Sequence, residues 1–121
     1  MVKALFDTNV LVDYLNAVPQ ARTELQRYTE KAISIITWME VMVGATGDVE
    51  DATRSFLSGF DIVAVDEVIA ECAVSLRRSH RIKLPDAVIW ATAQAHGMLL
   101  VTRNTKDFPV GDPGVRAPYG R

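Results

Sequence analysis

The chain has 121 residues, 49% of them hydrophobic and 23% charged, with a formal net charge of −2. That describes one globular domain over residues 1–121, able to bury roughly two-thirds of the surface its unfolded chain exposes, and it excludes the global basic field of a purely electrostatic nucleic-acid binder. A single cysteine, Cys72, excludes an intrachain disulfide; with no secretory leader and no apolar run of roughly 18 residues, a cytoplasmic protein with no membrane partner is expected.

Residues 2–6 form a short apolar run that suits a buried parallel strand, and Asp7 and Thr8 can cap the helix that follows to about Asn16. Pro19 opens a second helix that turns Leu25 and Tyr28 inward, and residues 32–36 make a second strand. Thr37-Trp38-Met39-Glu40 has the spacing of a capping box, so Thr37 is expected to cap a helix to about Gly44, with another helix over 48–57. A third strand spans 60–65. Asp66 then caps a helix whose apolar stripe is Val68, Ile69, Cys72, Ala73 and Leu76, ending near His80. Pro85 starts a helix over 86–96 that Gly97 closes, a fourth strand covers 98–102, and the Pro- and Gly-rich tail has room for an edge strand at 115–117. Strands alternating with helices give an α/β fold. It is expected to be a three-layer αβα sandwich around a mostly parallel sheet of four to five strands.

Four acids stand near predicted element junctions: Asp7, Glu40, Asp86 and Asp107. Singly, each is explained by capping or by a first-turn acid complementing the helix dipole. Together, at the carboxyl edge of a parallel sheet, they share one crevice, where carboxylates repel unless a cation sits among them. An all-oxygen donor set selects a hard ion such as Mg²⁺ or Mn²⁺.

The segments DTNVLVDYL, T-x-x-E, LPDAVIWATA and VTRNTKDFP resemble the four acidic motifs of PIN-domain ribonucleases, in the order and spacing of VapC-type toxins, and the resemblance runs to the terminal VRAPY. It implies a metal-dependent endoribonuclease, the toxin of a toxin–antitoxin pair, that hydrolyses RNA with Mg²⁺ or Mn²⁺, forms a homodimer and is inhibited by a VapB-type antitoxin. Carried over, Asp7, Glu40 and Asp86 match the metal-holding acids. The fourth motif leads with Asn104 where many relatives have an acid, and Asp107 is taken as the fourth catalytic and metal residue with Asn104 supporting it. Thr8, Thr37 and Thr102 stand beside the acids and are read as orienting them. The dimer contact is expected on Val10, Leu11, Val41, Met42 and Val43.

Arg78, Arg81 and Lys83 precede Asp86, and Arg103 and Lys106 bracket Asn104; these cations are candidate contacts for RNA phosphates. His80 and His96 lie outside the motifs, and Cys72 and Trp90 suit a core. Asp13, Asp51, Glu67 and Glu71 read as exposed helix residues. Two alternatives share the architecture. A phosphorylatable receiver module would use Asp66 and Lys106 but leaves Glu40 idle, and a non-cleaving PIN-like RNA-binding domain leaves the acids idle. No motif encodes which RNA is recognised.

Overall fold

The computed structural model describes residues 2–120. Five parallel strands form one sheet in the order β3-β2-β1-β4-β5: β1 (Ala4–Phe6), β2 (Lys31–Ser34), β3 (Asp61–Val63), β4 (Leu99–Val101) and β5 (Val115–Arg116). Helices α1 (Thr8–Leu15) and α2 (Pro19–Gln26) connect β1 to β2. Helix α3 (Ile35–Gly44), a 3-10 turn at Gly47–Val49 and α4 (Glu50–Leu57) connect β2 to β3. The chain then crosses to the other side of β1 through α5 (Glu67–His80) and α6 (Leu84–His96). Among the described residues, no helix is long and apolar enough to span a membrane.

Strand alternation sorts the core into two layers. Ala4, Phe6, Ile33 and Val101 face α1–α4, meeting Val10, Leu11, Ala21, Leu25, Val41 and Leu57. Leu5, Ala32, Leu100 and Val115 face the opposite way, toward Ile69, Ala73, Ala87, Trp90 and Ala91 of α5 and α6. Period two in each strand puts neighbouring residues on opposite faces, and right-handed crossovers place the two helix groups on opposite sides when the strand order reverses. The αβα sandwich expected from the sequence is therefore present, with every strand pair parallel.

Several local expectations are corrected. Helix α3 begins at Ile35, capped by Ser34, whose side chain accepts from Ile36 N; Thr37 is fully buried inside the helix and caps nothing. Asp13, read as exposed, is 2% exposed. Val68, placed on the apolar stripe of α5, is 67% exposed, and Cys72 is only partly buried, its Sγ 3.6 Å from Gln94 Oε1. Val10, Leu11 and Val41 are core residues and offer no dimer surface, whereas Val43 is 79% exposed. Gly97 closes α6 with φ 63° as expected; α5 closes on Arg81 with φ 55°, a left-handed conformation that a bulky side chain seldom adopts.

Candidate active site

Reversal of strand order at β1 and β4 opens a crevice beyond their carboxyl ends, the usual ligand position in open α/β sheets. Asp7 follows β1 directly and caps α1, its Oδ1 accepting from Thr8 N at 2.8 Å. Its Oδ2 accepts from Thr102 Oγ1 at 2.7 Å and from Asn9 Nδ2 at 3.2 Å. The carboxyl is 4% exposed. Burial pushes its pKa up to about 6, opposed by the Thr102 hydroxyl and reinforced by the charges of Asp86 and Glu40.

Only Asp7 lies at a strand-to-helix junction. Glu40 projects from within α3, and Asp86 sits in the first turn of α6, which follows α5 rather than a strand. The four acids still meet electrostatically. Asp86 is held above the ordinary aspartate value by burial, then by Asp107 and Glu40, with nearby Lys83 acting in the opposite direction. Glu40 is exposed but fixed, its Oε1 accepting from Thr8 Oγ1 at 2.6 Å. The hydroxyls of Thr8 and Thr37 lie 3.0 Å apart; Thr8 has one hydroxyl proton, committed to Glu40, so Thr37 donates to Thr8.

Asp107 is held by Asn104 in both directions. Asn104 Nδ2 donates to Asp107 Oδ2 at 3.0 Å, and Asp107 N donates to Asn104 Oδ1 at 3.1 Å. Asn104 N in turn donates to Thr102 Oγ1 at 2.9 Å, so one hydroxyl links Asp7 to the loop that carries Asp107. Asn9 makes a second link by accepting from Arg103 N at 3.3 Å. Its place two residues after Asp7 in DTN was the available sequence signal, and sequence reading passed over it.

Of the candidate RNA-contacting cations, Arg78, Arg81, Lys83 and Lys106 are exposed. Arg103 differs: its guanidinium meets Asp13 at 2.7 and 3.2 Å. His80 packs edge-on against Trp90 at 4.8 Å, away from the acids' hydrogen bonds, and Asp66 is spent capping α5 through Ile69 N.

Among the described residues, no three acids converge tightly enough to form a ready-made metal cage. Each carboxylate with a described hydrogen bond is instead satisfied by a protein donor: Asp7 by Thr102 and Asn9, Glu40 by Thr8, Asp107 by Asn104. The donor set nonetheless fits a hard divalent ion, because it is all oxygen and centres on a buried carboxyl whose neighbours already oppose its ionisation.

A PIN-domain family profile matches residues 4–110. Ribonuclease VapC10 of Mycobacterium tuberculosis is 33% identical over 88% of this chain and 86% of its own length. Among solved structures, a toxin–antitoxin complex from Klebsiella pneumoniae matches with a TM-score of 0.94 and 50% identity, covering 98% of this chain and 100% of the other. VapBC2 of Rickettsia felis, bound to a DNA fragment from its promoter, matches at 0.75 and 25%, covering 95% and 96%. The acidic crevice at the strand-order reversal thus sits on a fold with a known lineage: the chain belongs to the PIN-domain family and, within it, to the VapC-type toxins.

Proposed function

We propose that the crevice hydrolyses RNA phosphodiester bonds with one or two Mg²⁺ or Mn²⁺ ions, and that the protein is a cytoplasmic toxin held in check by a VapB-type antitoxin. The observation that carries this reading is Asp7: a buried carboxyl with a raised pKa, with no arginine among its described hydrogen-bond donors, and with Asp86 and Glu40 near enough to oppose its charge. Asp7, Glu40 and Asp86 would hold the ion, with Asp107 as the fourth acid. When bound, such an ion supplies a water of lowered pKa and neutralises charge on the phosphate. Thr102 and Asn9 orient Asp7, while Thr8, backed by Thr37, orients Glu40. Exposed Arg78, Arg81, Lys83 and Lys106 supply phosphate contacts around the crevice.

The VapC10 match supports the nuclease reading, and the toxin–antitoxin matches support the partner. A groove of about 450 Å³ begins at Glu40 and runs between α1, α3 and α4, lined by Val12, Leu15, Val41, Ala45 and Val49. An antitoxin segment would lay apolar side chains there and insert an arginine among the acids. A homodimer would use the exposed apolar residues of α3, Met39 and Val43, in place of the buried ones expected from sequence; a monomeric mass in light scattering at micromolar concentration would count against it.

The direct test is cleavage of a mixed RNA pool by pure protein. Chelator should stop it, and Mg²⁺ or Mn²⁺ should restore it better than Ca²⁺, whose longer and looser coordination suits a different site. Cleavage that continues in chelator would remove the metal from the mechanism.

A further inference from the structure

The loop from Thr102 to Phe108 carries Asn104 and Asp107 without helix or strand; Phe108 N donates to Asn104 O at 3.3 Å and Thr105 N to Arg103 O at 3.1 Å, so the turn is closed on itself and its placement against the rest of the fold falls to its ends. At one end Phe108 is buried, 5.8 Å from the ring of Trp90. At the other end Arg103 is held to α1 in two ways. Its backbone N–H donates to Asn9, and its guanidinium makes a fork on Asp13, Nε to Oδ2 at 2.7 Å and Nη2 to Oδ1 at 3.2 Å. Tyr119, beyond the segment matched by the family profile, donates its hydroxyl to the same Asp13 Oδ2 at 2.9 Å.

We propose that Arg103 is a positioning residue: gripped by Asp13, whose carboxylate Tyr119 also holds, it fixes the Asn104–Asp107 turn relative to Asp7 and so sets the placement of the fourth acid. Asp7 caps the N-terminus of α1 and Asp13 lies further along the same helix, so one rigid element carries both the first acid and the anchor of the fourth. A planar guanidinium binding a carboxylate through two N–H groups fixes orientation as well as distance, which a lysine ammonium does not. This role differs from an RNA contact, because Asp13 is 2% exposed and cannot itself reach a phosphate. It rests on the nuclease reading only for its kinetic consequence.

The experiment compares Arg103→Ala, Arg103→Lys, Asp13→Asn and Tyr119→Phe with the unaltered chain in three measurements. Without metal, amide exchange at Asn104 and Asp107 should quicken about tenfold in Arg103→Ala and Asp13→Asn, while amides of β1 keep their protection. Mn²⁺ affinity by calorimetry should fall about tenfold in the same variants, as is typical when residues supporting metal ligands are removed. Arg103→Lys should recover little of it. In RNA cleavage kcat should fall while KM moves less than twofold, and Asp13→Asn combined with Arg103→Ala should be no worse than the poorer single variant. Where either strong variant fails to fold, Arg103→Lys decides, since it keeps the charge and removes the two-pronged fork on Asp13: faster exchange at Asn104 and Asp107 supports the proposal and unchanged exchange overturns it. A raised KM and a shallower salt dependence in Arg103→Ala, with Asp13→Asn at unaltered values throughout, would make Arg103 an RNA contact and overturn the proposal. Should the unaltered protein cleave no RNA, the exchange measurement still decides the positioning claim while the nuclease reading falls separately.

Discussion

Two kinds of buried acid lie on α1 and α2, and they differ in what faces them. Glu24, 2% exposed, receives Arg116 Nε at 2.6 Å and Nη2 at 3.0 Å together with the Tyr28 hydroxyl at 2.9 Å. Asp13 repeats the plan with Arg103 and Tyr119. In each, an acid, an arginine and a tyrosine close a charge inside the protein, and Glu24 stays below the ordinary glutamate value although burial pushes the other way. Asp7 is buried almost as deeply, has only neutral donors, and is pushed up to about 6. Burial alone therefore does not decide which way a carboxyl pKa moves. What differs is direct binding by a guanidinium, which Asp13 and Glu24 have and Asp7 lacks among its described hydrogen bonds.

The largest expected effect breaks the uncompensated side. Asp86→Asn, Asp7→Asn or Glu40→Gln should each lower RNA cleavage by roughly a hundredfold to a thousandfold, the loss expected when several kcal/mol of charge stabilisation leave a transition state. The fold should survive, and in Asp86→Asn and Glu40→Gln thermal stability should hold or rise because one of the mutually repelling charges is gone. Full activity in folded Asp86→Asn would dissolve the distinction between the two kinds of acid.

The next effect falls on the compensated side. Arg116→Ala leaves the Glu24 carboxylate buried with Tyr28 and the longer Arg27 contact at 3.7 Å. Breaking a buried pair from one side costs about 3–5 kcal/mol, and the partial exposure of Arg116 places this case near about 3. Denaturant unfolding should show that loss, Glu24→Gln in the same background should recover part of it, and cleavage per folded molecule should stay near its original rate. Unchanged stability would mean that the arginine does not hold Glu24 in place.

Sequence made one side of this comparison far more legible than the other. The acids of the crevice announce themselves through local signals: Asp7 after an apolar strand, Asp86 after Pro85, Asp107 in a short polar loop. Glu40 was found for a partly wrong reason, since the Thr37-x-x-Glu40 spacing imitates a capping box while Ser34 does the capping and Thr37 supports Thr8. The compensated acids were invisible because their arginines lie 90 and 92 positions away, beyond any window in which charge pairing can be read. The apolar run Val10-Leu11-Val12 on an eight-residue helix left open which side faces the core. Packing buried Val10 and Leu11 and left Val12 39% exposed.

The smallest effect sharpens the comparison through pH, measured with chelator present. Asp7 has a folded pKa of about 6 against an ordinary 3.8, so the native state binds its proton more tightly than the unfolded chain does. Stability contributed at Asp7 is therefore greatest below about pH 4, declines as pH rises to about 6, and is level above that, a loss on the order of 2–3 kcal/mol. Glu24 runs the other way: its folded pKa is depressed, so its contribution is full above the ordinary value and vanishes only as pH falls through the lowered one. Between pH 4.5 and 6.5 the Glu24 contribution is level while that of Asp7 declines, together with a part from Asp86, whose pKa is also raised, so Asp7→Asn should make the decline clearly shallower. The amide has donors where Asp7 offers only acceptors, so absolute stability is a poor measure and the slope is the quantity to read. An unaltered slope in Asp7→Asn would place the Asp7 pKa near its ordinary value and would mean that neutral donors compensate a buried carboxylate as well as an arginine does.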